Sequence, residues 1–242
     1  MQTSPQHIDL WLAPDTALEG LATHASGAEW LSEEEQRRWQ CFARAADRTR
    51  YLLARVMMRS VLAQQLQPSR SPQSLIVVQD HHGKPHLQPP ALQFNLSHTD
   101  GLVVLAVSDT MPVGVDVEQT SREVATLALA QRYFSTREVK ALEALDGTAQ
   151  RELFFAQWTL KEAWLKAKGT GLRVPLDAFA FELGPTGDIK LHCDAQLNEL
   201  PQAWGFWRHV RGRHRIALAY PRSGDTVPVI TVREWQAQDL LR

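Results

Sequence analysis

Two serines set about 103 positions apart constrain this chain more than any other feature. Each follows an apolar residue and precedes a glutamate by three: Leu31-Ser32 with Glu35, and Phe134-Ser135 with Glu138. In such a box the serine hydroxyl accepts from the third helical N–H while the glutamate reaches back to the serine's own N–H, so each pair marks a helix start. Carried forward, the same offset sets the apolar run 75–78 against 178–181. That period is too long for a solenoid and fits a duplicated supersecondary unit. Two similar lobes are therefore expected, over 1–112 and 113–242.

Periodicity fills in the lobes. Apolar residues at helical spacing predict one long helix over 49–66, stopped where Gln67-Pro68 discourages continuation. Strands are predicted near 75–78, 92–97 and 102–107, joined by turns through His82-Gly83-Lys84-Pro85 and Thr99-Asp100-Gly101, as a meander. The second lobe repeats the order, with helices near 124–133, 136–144 and 151–168, the last ended by Gly169. Strands follow near 179–183, 189–192, 204–209, 215–220 and 229–232. Helices ahead of antiparallel strands in each half argue for an α+β fold of two pseudo-duplicated lobes, each with helices packed on a small, mainly antiparallel sheet. No Gly/Ser linker or charge run separates them, which predicts tight packing across a shared interface.

Twenty-six basic against twenty-seven acidic residues leave a net charge of −1, which argues against wholesale binding of nucleic acid or an anionic membrane. The opening MQTSPQHIDLW lacks signal-peptide blocks, and the longest apolar stretch is too short to span a bilayer. A cytoplasmic monomer is expected. The two cysteines, Cys41 and Cys193, read as small buried hydrophobes.

Three constellations carry chemistry. Val113-Gly114-Val115-Asp116-Val117-Glu118 alternates strictly, so on a strand the valines face one way and the two acids the other. Same-face residues lie roughly 6.5 to 7 Å apart, a spacing that lets two carboxylates converge on one hard cation. A half-buried strand with an acidic outer face is the simpler reading of those residues alone. Second, Trp158, Glu162 and Lys166 fall four apart on a helix crowded by Phe154, Phe155, Trp164 and Leu165. A carboxylate and an ammonium one turn apart suit a base and a phosphate clamp, although a surface ion pair shows the same spacing. Third, Phe94-Asn95-Leu96-Ser97-His98 ends a strand at a tight turn, where an imidazole can donate to a phosphate oxygen. Gly83-Lys84-Pro85 is a rigid turn bearing a cation. His192-Cys193 has no matching pair at zinc spacing, and neither G-x-x-x-x-G-K-[ST] nor G-x-G-x-x-G occurs.

In this order, G-K-P, F-N-L-S-H, G-V-D-V-E and F-F-A-Q-W-T-L-K-E-A-W-L-K-A-K-G-T-G-L resemble the 4′-phosphopantetheinyl transferases of the broad-specificity, surfactin-synthetase-activator type, over roughly 44–183. The resemblance implies transfer of the 4′-phosphopantetheine arm from coenzyme A to a serine of apo acyl or peptidyl carrier proteins, with release of 3′,5′-ADP. It implies Asp116, Glu118 and Glu162 as Mg²⁺ ligands and Glu162 as the base toward the serine. Lys166 resembles a phosphate contact and proton donor to the leaving nucleotide, and His98, beside Ser97, the pyrophosphate clamp. Gly83, Lys84 and Pro85 resemble the turn at the adenine end, and Lys161 fits the motif as a cofactor contact. The 3′-phosphate needs a cation, for which Arg44, Arg48 and Arg50 are candidates. An active site in the cleft between the lobes is expected. The rival readings are another Mg²⁺-dependent phosphotransferase or hydrolase, and a non-catalytic carrier-protein or nucleotide-binding module.

Overall fold

The computed structural model describes residues 6–18, 27–224 and 226–237, and its architecture is α+β. In chain order the elements are β1 (His7–Pro14), α1 (Glu33–Gln40), α2 (Ala45–Gln65), β2 (Ile76–Gln79), β3 (Pro85–Gln88), β4 (Gln93–Thr99), β5 (Leu102–Ser108) and β6 (Gly114–Gln119). They continue with α3 (Thr126–Tyr133), α4 (Thr136–Glu143), α5 (Gly147–Lys168), β7 (Phe179–Leu183), β8 (Ile189–Cys193), β9 (Trp204–Arg211), β10 (His214–Pro221) and β11 (Val229–Glu234). Two compact units result, Met1–Thr110 with Pro228–Arg242, and Met111–Val227. The expected division after residue 112 thus differs in its final segment. β11 lies parallel to β1, with Leu10 opposite Val232, a pairing between chain ends that no local pattern reveals.

In the first unit the strand order is β11-β1-β5-β4. β1, unforeseen from the sequence, buries Ile8, Leu10 and Leu12 by strict alternation. α2 buries Leu53, Met57 and Val61 in one core with Phe94, Val103, Leu105 and Trp235. The single meander expected over 75–107 is instead two hairpins in different sheets, β2 with β3 and β4 with β5. Gly83 turns the first hairpin at φ +84°, a left-handed conformation that a side chain would strain.

The second unit has a three-stranded sheet, β6-β10-β9, and a separate β7–β8 hairpin. α5 buries Leu160, Ala163, Trp164 and Ala167 in one core with Ala217 and Ala219 of β10 and Phe179 and Phe181 of β7. It ends at Gly169 in the left-handed region, φ +67°. Small residues on facing elements allow unusually close approach. A Cβ built on Gly114 would lie 2.0 Å from the Ala163 carbonyl oxygen and 2.3 Å from the Ala167 nitrogen. Gly114→Ala is therefore expected to force β6 and α5 apart at a cost of about 2 kcal/mol or more. Thermal melting should register a drop of roughly 4 to 8 °C, and an unchanged melt would show that the contact is slack.

Both capping boxes form as the sequence predicts. Each glutamate also receives a cation from the long helix of its unit. Glu35 Oε2 accepts from Arg59 Nη2 at 2.7 Å, and Arg59 donates onward to the Pro72 and Leu75 carbonyls. Glu138 Oε2 lies 2.8 Å from Lys161 Nζ, which donates to the Leu176 and Phe179 carbonyls. In each unit, then, a buried cation fastens helix cap, long helix and the turn that enters a hairpin. Of the cysteines, Cys41 is exposed at the end of α1, against expectation, and Cys193 is half-buried.

Candidate functional site

Asp116 and Glu118 sit on β6 facing the same way, and Val115 and Val117 are buried on the opposite face. Asp116 stands opposite Ala217 and Gly114 opposite Ala219, the alanines that share a core with α5. The acidic face is thus the helix-covered face. Ala163 and Ala167 rest on Gly114, and the neighbouring helical row, Glu162 and Lys166, reaches the acids: Lys166 Nζ lies 2.6 Å from Asp116 Oδ1. Asp116 is 8% exposed and Lys166 29%, so this ion pair is largely shielded from water.

The carboxylates are crowded and desolvated. Burial, then the neighbouring Asp116, pushes the Glu118 carboxyl up to about 7, with Glu162 adding and Arg122 and Lys166 opposing. Burial first and Asp116 second also raise Glu162 above the ordinary carboxylate range, against Lys166. Glu118 Oε2 is buried with no hydrogen-bond donor, its nearest cation being Arg122 Nη1 at 3.6 Å. Among the described residues, no group of three or more His, Cys, Asp or Glu side chains is placed so as to hold a metal ion. What stands there is a set of hard oxygen donors, the donor chemistry that suits Mg²⁺, with Lys166 and Arg122 facing them.

Lys161 is the clear correction to the expected site. Although adjacent to Glu162, it is 1% exposed and turned inward, with Glu138, the Leu176 and Phe179 carbonyls and the Phe179 ring around its ammonium. From there its ammonium faces α4 and β7 and not the acids of β6. Successive helical residues point about 100° apart, so neighbours in sequence need not share a face.

The remaining expected residues lie in the first unit. His98 is exposed on β4 opposite Val103, with Ser97 buried beside it. Asp80 Oδ1 accepts from the Lys84 and His82 N–H groups, shaping the turn that carries Gly83, Lys84 and Pro85. Burial draws the Lys84 ammonium below its usual range, with Asp80 opposing. Arg50 is buried and ion-paired with Asp15 and Asp100. Arg48 donates to the Phe42 carbonyl, and Arg44 is exposed at the start of α2.

Sequence reasoning missed a recess beside the Gly83-Lys84-Pro85 turn that carries charges of both signs. A pocket of about 330 Å³ is lined by Glu34, Glu35, Arg38, Tyr51, Arg55 and Pro85 among others, and Arg55 Nε lies 3.6 Å from Glu35 Oε1. The Arg55 guanidinium stands 5.0 Å from the centre of the Tyr51 ring, and Arg38 6.0 Å. Arg38 and Arg55 lie on different helices, so only the packing of α1 on α2 and the β2–β3 hairpin makes them neighbours; the clue in the sequence was a cation on each helix within reach of Gly83-Lys84-Pro85.

Comparison with known proteins finds relatives over most of the chain. Residues 112–219 match the 4′-phosphopantetheinyl transferase superfamily, and residues 22–110 match the 4′-phosphopantetheinyl transferase N-terminal family. The chain is 34% identical over 176 residues to 4′-phosphopantetheinyl transferase Sfp of Bacillus subtilis, covering 72% of this chain and 73% of the relative. It is 33% identical over 192 residues to 4′-phosphopantetheinyl transferase HetI of Nostoc, covering 76% and 77%. Among solved structures, a holo-(acyl-carrier-protein) synthase of Bacillus anthracis in complex with CoA (3′,5′-ADP) aligns over 48% of this chain and 100% of that one, at 19% identity and a TM-score of 0.40.

Proposed function

The chain belongs to the 4′-phosphopantetheinyl transferase superfamily, and from that premise we propose how its own residues move the 4′-phosphopantetheine arm from coenzyme A to a carrier-protein serine. The observation that carries the reading is the shielded cluster of Asp116, Glu118, Glu162 and Lys166 formed by β6 and α5. Phosphoryl transfer needs a positioned base, a cation near the developing charge and little else from the protein. Glu162 serves as the base. Desolvation makes it a stronger proton acceptor than a solvated carboxylate, which suits withdrawal of a hydroxyl proton near neutral pH. Lys166 serves as the cation, contacting a phosphate oxygen and returning a proton to the departing 3′,5′-ADP.

Asp116, Glu118 and Glu162 are the residues that would hold Mg²⁺, which when bound neutralises pyrophosphate oxygens. Pro85 with Lys84 and Gly83 supports the adenine end. Arg38 and Arg55 join Arg44, Arg48 and Arg50 as candidate cations for the extra phosphate, in a recess that also holds Glu34, Glu35 and the Tyr51 ring. His98, exposed on its strand, is assigned to the pyrophosphate.

Incubation with coenzyme A, MgCl₂ and an apo carrier protein tests the reading. A gain of one phosphopantetheine arm on the carrier, read by intact mass, is expected. Hydrolysis of coenzyme A without a labelled carrier would favour the rival phosphohydrolase, and saturable binding with no product would favour a binding module. Replacing Mg²⁺ by excess chelator should stop labelling.

A further inference from the structure

Among the titratable side chains of the motif helix that the transfer chemistry leaves unused, Lys161 is the fully buried one, and its surroundings are unusually complete. Its ammonium has three N–H groups and three acceptors, from three places in the second unit: Glu138 Oε2 of α4 at 2.8 Å, the Leu176 carbonyl at 2.7 Å and the Phe179 carbonyl at 2.5 Å. Two aromatic faces close the site, with Phe179 centred 4.2 Å and Phe134 5.1 Å from Nζ. Glu138 is itself held, accepting from Ser135 Oγ at 2.8 Å and from the Phe181 N–H at 2.9 Å. The cation is therefore fastened to a rigid frame and not to a loose side chain.

We propose that Lys161 is a positioning residue for the transfer reaction, fixing the rotation of α5 about its axis and so aiming Glu162 and Lys166 at Asp116 on β6. This rests on the transferase reading above. The helix is pinned at two azimuths: inward by Lys161 to α4 and β7, and against β6 by Ala163 and Ala167 on Gly114. Glu162 lies between these two pins in the sequence. A side-chain tip stands about 5 to 6 Å from the helix axis, so a 20° rotation carries a carboxylate about 2 Å sideways. A displacement of about 1 Å in a catalytic group can cost on the order of 10²-fold in rate.

Stability and aim can be separated because removing both members of a buried ion pair is often neutral for folding, whereas removing one strands the other. The test measures kcat, KM for coenzyme A and melting temperature for Lys161→Met, for the double variant Lys161→Met with Glu138→Gln, and for Lys161→Arg. The glutamine keeps an acceptor for the Phe181 N–H. Lys161→Met is expected to melt lower and to lose about 10²-fold in kcat with KM little changed. The double variant should regain the melting temperature but not kcat. Lys161→Arg should keep most of the rate, because Arg59 makes the equivalent three contacts in the first unit. Recovery of kcat together with melting temperature in the double variant would reduce Lys161 to a structural role and overturn the proposal. If Lys161→Met fails to fold, the double variant decides alone; a wild-type chain that labels no carrier sinks the transferase reading instead.

Discussion

Glu162→Gln is expected to abolish carrier labelling almost completely while the protein still folds and still binds coenzyme A. The substitution keeps the volume and one acceptor oxygen but removes both the charge and the basicity. A positioned general base alone contributes on the order of 10²- to 10⁴-fold, and a carboxylate also proposed to hold the metal takes a second contribution with it. Folding should not suffer. Burial and Asp116 raise this carboxyl in the folded state, so the folded protein holds the proton more tightly than the unfolded chain does. Stability tied to this group therefore falls as pH rises through its titration, and at neutral pH the charge is a cost that glutamine removes. The recess proposed for the nucleotide, around Arg38, Tyr51 and Arg55, is built without α5, so weakened but measurable coenzyme A binding should persist. Single-turnover labelling, calorimetric titration with coenzyme A and a melting curve check the three parts. Labelling at the wild-type rate would remove Glu162 from the reaction.

The parts of the molecule legible in the sequence are those whose signal is local. Both capping boxes form at Ser32 and Ser135, Gly169 ends the long helix in the left-handed region, and the alternation in β6 puts Asp116 and Glu118 on one face. The four-residue spacing of Glu162 and Lys166 does present one helical row to that face, with Lys166 on Asp116. Three readings went astray where position depends on partners distant in sequence. Lys161 looked like a ligand because its neighbours do, and only Glu138 and the turn before β7 show that it points inward. Arg50 looked available until Asp15 and Asp100 closed on it. β11 read as part of the second half, yet its hydrogen-bonding edge is β1. A polar side chain in a helix has no local mark that tells ligand from buried clip, since both need the same charge.

Asp116 is the residue on which the other charges of the site depend, and its loss should be nearly as damaging as that of the base. It is the partner of Lys166 at 2.6 Å, and its charge, after burial, is what lifts both Glu118 and Glu162. In Asp116→Ala both glutamates should therefore titrate lower than in the wild type, and Glu162 becomes a weaker base. Lys166 loses the anchor that holds it over β6. One of the three acids proposed for the metal is gone as well. Removing a single electrostatic stabiliser from a preorganised site typically costs on the order of 10²- to 10³-fold in kcat, and here three effects run in the same direction. The measurement is labelling rate against Mg²⁺ concentration. The variant should need far more metal for half-maximal rate and reach a much lower plateau. Asp116→Asn, which keeps an oxygen toward Lys166 but not the charge, should recover little. A titration curve for Asp116→Ala that overlays the wild type would show that the metal and the base are organised without β6, and that the pairing of strand acid with helix ammonium is incidental to the chemistry.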